Sequence, residues 1–214
     1  MSEGGRYNGA YYYSKELSDI IIPRITTSRN WVTINIHGFA ADHSIVFIHN
    51  NLQPEHYDWL KRFKDLVLVV GVPETADKVK HLGKVIYLPL SIDVDYVKQF
   101  KTKHDREVAY CGRPAKFIGK KVDGDLIGGI PREQMLKEMA HYKKIYAVGR
   151  TALEALVLGA ELLPYDSRFM DVDRWKVMDS KNAAVLLQRA LDMIEAGATN
   201  IDCSRFREYK DMVQ

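Results

Sequence analysis

Cysteine is scarce in this chain. Only Cys111 and Cys203 occur among 214 residues, too few for a disulfide framework or a cysteine-rich zinc cluster, so a reducing, cytoplasmic setting is expected. No apolar run reaches the roughly 20 residues that span a bilayer. The opening residues, Met1 to Gly9, are polar and glycine-rich, unlike a secretory leader. An excess of one charge sign is missing as well. With 31 Lys and Arg against 28 Asp and Glu, the formal charge is +3, too mild for a whole-surface attraction to nucleic acid. A nucleic-acid partner would have to use a local basic cluster such as the loop Lys116–Lys121. No glycine loop ends in Gly-Lys-Ser or Gly-Lys-Thr, which argues against P-loop phosphoryl transfer. There is no Gly-x-Ser-x-Gly elbow of the usual hydrolase kind. Gly128–Gly129 lacks the third glycine of a dinucleotide fingerprint. His37, His43, His49 and His56 lack the paired spacing of zinc ligands, so no metal is expected.

What the chain does have is alternation. Apolar runs bounded by turn residues recur at Trp31–Ile36, Ser44–Ile48, Leu66–Val70, Val85–Leu88, Val108–Cys111, Asp125–Ile127, Lys144–Val148 and Glu161–Leu163. Most are continuous rather than alternating, the pattern of strands covered on both faces of a parallel sheet. Helical spacing precedes them at Ser14–Ile22, falls between them at Pro54–Phe63, Thr75–His81, Arg132–His141 and Thr151–Leu158, and follows them at Lys181–Ala196. The expectation is an α/β protein of two Rossmann-like lobes with parallel sheets and a cleft between them. The charged stretch Lys98–Glu107 is the expected hinge. It divides residues 1–100 from 101–214, with the C-terminal helix able to pack back on the first lobe.

The most informative stretch is Ile145–Asp166, IYAVGRTALEALVLGAELLPYD. It reads as a buried strand, a turn at Gly149, a short helix with one inward carboxylate, a stop at Gly159 and a second buried strand. A helix entered through glycine offers backbone amides and positive dipole potential to a phosphate. Glu154, about one turn further in, then suits a sugar hydroxyl. The combination fits a nucleotide or a nucleotide-sugar.

These segments resemble the GT-B glycosyltransferases, in particular the nucleotide-sugar-dependent retaining enzymes of the group 1 (family 4-like) type. GRTALEALVLGAELLPYD (Gly149–Asp166) is similar to their nucleotide-binding segment. VAYCGR (Val108–Arg113) is similar to their strand ending in Gly-Arg, and IGGIPREQMLKEMAHYKKIYAVG (Ile127–Gly149) to the elements that follow. IYLPLSID (Ile86–Asp93) resembles the segment where the lobes join, and GGRYNGAYYYSKEL (Gly4–Leu17) the glycine loop and first helix. The resemblance implies a nucleotide-diphosphate-sugar donor, an unidentified acceptor and no further cofactor. Glu154 would bind the ribose, while Gly149, Arg150 and Thr151 would face the diphosphate. Arg113 with Lys116 or Lys120 would neutralise the leaving group in place of a metal. His49, or else His37, would orient or deprotonate the acceptor, and Tyr11, Tyr12 and Tyr13 would be placed to stack on a base or sugar. The first lobe is short by comparison, which leaves room for a partner or a second copy of the chain. Tyr146 stands where the family usually carries a second glutamate. That departure supports a rival reading, a non-catalytic nucleotide or sugar-nucleotide binder on the same scaffold.

Overall fold

The computed structural model describes residues 9–34, 41–49, 52–112, 124–165 and 171–213. They form two compact units, one of Ala10–Leu90 with Ser180–Val213 and one of Ser91–Asp179. Each is an α/β unit with its own parallel, Rossmann-like sheet, the class that strand–helix alternation led us to expect. In the first, α1 (Gly9–Glu16) runs into a π-helical turn, Leu17–Ile21. β1 (Asn30–Thr33), β2 (Ser44–Ile48), α2 (Pro54–Leu60), β3 (Val67–Val70), α3 (Pro73–Val79) and β4 (Lys84–Tyr87) follow. The Ser91–Asp179 unit holds α4 (Val94–Lys98), β5 (Arg106–Cys111), β6 (Asp125–Ile127), α5 (Arg132–Met139), β7 (Tyr142–Tyr146), α6 (Arg150–Leu158) and β8 (Glu161–Leu163). The chain then returns to the first unit with α7 (Ser180–Glu195), β9 (Asn200–Asp202) and α8 (Tyr209–Met212).

The charged stretch Lys98–Glu107 lies within the Ser91–Asp179 unit, as a mostly exposed connection between α4 and β5. The chain changes unit at Leu90–Ser91 and at Asp179–Ser180. Ile92 and Asp179 form a parallel bridge, and Val94 N donates to Asp179 Oδ2 at 3.2 Å, so the two ends of this unit are stitched together.

The five-stranded sheet runs β1-β2-β3-β4-β9, every pair parallel. β2 and β3, SIVFI and VLVV, are buried at every position. Successive side chains point to opposite faces, so a strand covered on both sides must be apolar throughout. On one face Val46, Ile48, Leu68, Val70 and Val85 pack with Leu60 of α2 and Val79 of α3. The alternate residues, Ile45, Phe47, Val67, Val69 and Ile86, are equally buried. α7 packs on β4, β9 and the Leu17–Ile21 turn. Its buried stripe, Ala183, Ala184, Leu187, Ala190, Leu191 and Ile194, recurs every three or four residues as a core-facing helix requires. Gly197, at φ 102°, ends it: Gly197 N donates to Ile194 O and Ala198 N to Met193 O, the paired hydrogen bonds of a Schellman stop. β9 then pairs Ile201 with Ile86. Residues near the C-terminal end thus complete a sheet begun by the first half of the chain.

At the amino-terminal edge of this sheet lies a polar lock. Arg29, with a side chain only 1% exposed, reaches Glu195 on α7 at 2.8 Å and Asp65 Oδ2 at 3.0 Å. It also donates to the Asp65 carbonyl at 2.8 Å. Asp65 receives His43 Nδ1 at 2.7 Å and Lys84 Nζ at 3.0 Å. The His43 hydrogen bond, then Lys84 and Arg29, hold the Asp65 carboxyl well below the ordinary carboxylate range. A buried guanidinium needs such partners, because an unpaired buried charge is costly.

Two outcomes test this packing. Leu187→Ala should lower unfolding free energy by about 2–5 kcal/mol, while Val185→Ala on the exposed side of α7 should change it by less than about 0.5 kcal/mol; urea denaturation reads both. A carboxyl depressed in the folded state gives stability that is complete above its unfolded value near 3.8 and lost as pH falls through the folded value. Asp65→Asn should therefore lower Tm near neutral pH, and its gap to the parent should narrow on acidification below 3.8. A gap independent of pH would mean that this charge does not hold the edge.

Candidate functional site

The four-stranded sheet runs β6-β5-β7-β8, again all parallel. β5 and β7 are neighbours, Ala109 opposite Ile145 and Tyr110 opposite Tyr146. From β5 the chain goes to β6 on one side, and from β7 to β8 on the other. Connections that diverge from adjacent parallel strands leave a crevice beyond their carboxyl ends, the usual ligand position in such sheets. Gly112, which follows β5, and the Gly149 turn, which follows β7, adjoin this switch point.

Gly149 sits at φ 64°, ψ −140°, a conformation open to glycine and hardly any other residue. An added Cβ would meet nothing within 4 Å; the backbone angle, not crowding, demands glycine here. Its carbonyl accepts from Ala152 N at 3.1 Å and Leu153 N at 3.4 Å, and α6 begins. The first amides of such a helix, those of Arg150 and Thr151, have no intrahelical acceptor. Gly159, at φ 93°, closes α6 with the same paired hydrogen bonds as Gly197: Gly159 N to Leu156 O and Ala160 N to Ala155 O, both 3.0 Å.

Seven of the nine residues of α6 are buried, because it packs against α4, α5, β7 and β8. Two polar side chains are enclosed with it. Arg150 donates to the Ser91 carbonyl at 2.8 Å, which ties the helix start to the beginning of the unit. Glu154, its side chain 4% exposed, is paired with Arg132, the first residue of α5. Arg132 Nε lies 2.9 Å and a terminal nitrogen 2.8 Å from Glu154 Oε1. The Arg132 guanidinium also sits 5.3 Å over the Tyr96 ring of α4, so one cation joins three helices. Burial, aided by the Glu154 charge, pushes the Cys111 thiol far above its ordinary range; a thiolate nucleophile is not formed there.

Tyr146 stacks on Tyr110 at 4.1 Å with rings 16° apart. Tyr165 meets Tyr110 edge-on at 5.7 Å. The alternation of β7 points Tyr146 to the face opposite Ile145. His49 ends β2 in the other unit, half-buried, with its ring stacked on Tyr13 at 4.7 Å. Tyr11 and Tyr12 contact each other edge-on at 5.3 Å. His37, Arg113, Lys116 and Lys120 lie outside the described residues. Among the described residues, no group of three or more His, Cys, Asp or Glu could hold a metal ion, and no helix is long and apolar enough to cross a membrane.

Gly149, Arg150, Thr151 and Glu154 are thus brought together on one strand–helix junction. Arg132 and Tyr96, the partners that position Glu154, are not evident from the sequence. The one signal was general: an inward carboxylate needs a cation, and the chain offers 31. Compared with known proteins, this chain matches no family model, no curated protein and no solved structure.

The Arg132–Glu154 pair makes a quantitative prediction. Arg132→Ala should cost about 3–5 kcal/mol because it strands a buried carboxylate, whereas the double variant Arg132→Met/Glu154→Leu should recover most of the loss. Denaturant unfolding of the two variants checks it; a cost below about 1 kcal/mol for the single change would mark the pair as solvated.

Proposed function

We propose that this chain is a glycosyltransferase that moves a sugar from a nucleotide-diphosphate-sugar donor to an acceptor. The observation that carries the reading is the strand–glycine–helix–strand unit Tyr142–Leu163, with Gly149 left-handed at the helix start and Glu154 buried one turn further in. It supports the reading because the same residues carry the resemblance in sequence, and because they adjoin a switch point of a parallel sheet. In this reading the donor diphosphate meets the amides of Arg150 and Thr151. Arg113 with Lys116 or Lys120, which follow β5 in the chain, neutralises the departing nucleotide. Arg132 orients Glu154 through Oε1, and the ribose hydroxyls address Oε2. The carboxylate is nearly closed off, so donor binding goes with a shift of the side chains around it. The resemblance assigns acceptor activation to His49 or His37. The return of α7 and β9 to the first unit is a further feature in keeping with this scaffold.

One observation favours a second reading. Tyr146 replaces a carboxylate that contacts the transferred sugar in retaining relatives, and its ring is taken up by Tyr110. A protein that binds the nucleotide or sugar-nucleotide without turning it over is consistent with that exchange.

Titration calorimetry with UDP, GDP and their sugars tests both readings. The parent should bind one base series, and Glu154→Gln should lose about tenfold or more in affinity, the worth of a hydrogen bond to a charged group. Equal affinity in a folded Glu154→Gln protein would remove the site. Release of free nucleoside diphosphate identifies the transferase, and binding without release identifies the binder.

A further inference from the structure

Ser28, His43 and Asp65 stand at the amino-terminal edge of the five-stranded sheet, ahead of β1, β2 and β3 respectively. Ser28 Oγ is 3.2 Å from His43 Nε2, and His43 Nδ1 is 2.7 Å from Asp65 Oδ2. This is the atom order of a serine nucleophile, its base and the carboxylate that orients the base; such sets are recognised by geometry and not by position in the sequence. An ionised Asp65 can only accept, so His43 donates from Nδ1 and presents the lone pair of Nε2 to the serine hydroxyl. Asp65 is held ionised by Arg29 at 3.0 Å and Lys84 at 3.0 Å.

A second observation singles out the same residues. Among the described residues, His43 (φ 62°) and Asp65 (φ 52°) are the only non-glycine residues with positive φ. Conformations of this kind are strained, persist only where the surroundings impose them, and cluster at functional sites. Here the surroundings do impose them. His43 N donates to Lys64 O at 2.9 Å, Lys64 N to Asp42 Oδ1 at 2.7 Å, and Arg29 to the Asp65 carbonyl at 2.8 Å. Ser28 is exposed and His43 half-exposed, as a nucleophile and base must be. Asp65 also borders an open depression of about 410 Å³, lined further by Lys80, Lys84, Thr199 and Asn200.

The geometry points to a second reactive centre on this edge, a Ser28–His43–Asp65 hydrolytic triad for small carboxylic esters. Ser28 Oγ attacks the ester carbonyl carbon as His43 Nε2 takes its proton. The alcohol leaves with that proton, and an acyl-serine remains. Water, deprotonated by His43, then releases the carboxylic acid and restores Ser28. Ester and water become acid and alcohol, with no oxidant or metal required.

A tagged fluorophosphonate, which phosphonylates activated serines, tests this on the full chain, with the adduct located by peptide mass spectrometry. The expected result is one adduct, on Ser28, absent in Ser28→Ala. His43→Asn, chosen because Asn tolerates the left-handed backbone, should label about a hundredfold more slowly, the loss of a general base. A peptide spanning residues 24–32 gives the reactivity of the same serine without its base, so the comparison stands even where His43→Asn fails to fold. Ser28 labelling no faster than that peptide, or as fast in folded His43→Asn, overturns the triad.

Discussion

Parallel pairing is the constraint on which the rest depends. Neighbouring parallel strands cannot be joined by a tight hairpin, so each pair needs a crossover, and both faces of the sheet must be covered. That requirement accounts for the all-apolar β2 and β3, for α2 and α3 packing against one face of the larger sheet, and for the return of α7. It also separates the two edges of each sheet chemically. Carboxyl ends feed helix starts, as at Gly149, while amino ends collect the connections that lead into strands, as at Asp65 after α2.

In each unit a largely buried arginine, Arg132 in one and Arg29 in the other, joins elements distant in sequence. Arg132 links α5 to α6 through Glu154 and to α4 through the Tyr96 ring. Arg29 links the approach to β1 with the approach to β3 and the end of α7. A planar, always-charged fork can satisfy two or three acceptors at fixed angles, which suits it to such junctions better than lysine. Pairs of this kind are weak evidence for added stability but strong evidence for a fixed arrangement, since removal of one partner leaves a charge stranded. At both candidate centres the arginine therefore sets where a carboxylate points: Glu154 in one, Asp65 in the other.

Much of the architecture was legible beforehand. Asp125–Ile127, Glu161–Leu163 and Ser44–Ile48 are strands with the bounds expected, because short apolar runs between turn residues have few other uses in an α/β chain. Gly159 and Gly197 end their helices as expected, since a left-handed stop strongly favours glycine. The first helix differs: it starts at Gly9, and π-helical geometry replaces α at Leu17–Ile21. β9 escaped notice because a three-residue edge strand with one apolar side chain, Ile201, has no periodicity to detect. α4 escaped because five residues, VDYVK, are too few for a helical pattern; its Asp93 cap, bonded to Tyr96 N, was the available signal.

The sequence by itself determined the fold class, the strand–helix alternation and the glycine-bounded helix that carries Glu154. These follow from local hydrophobic period and from backbone angles that glycine alone adopts freely, and neither depends on distant residues. Tertiary structure alone decided which of many cations meets Glu154, which strands become neighbours, and that Ser28, His43 and Asp65 form one hydrogen-bonded line. Those relations span up to 37 residues of chain in the line itself and 166 in the Arg29–Glu195 contact. They are set by how crossovers fold back on a parallel sheet, which no local pattern records.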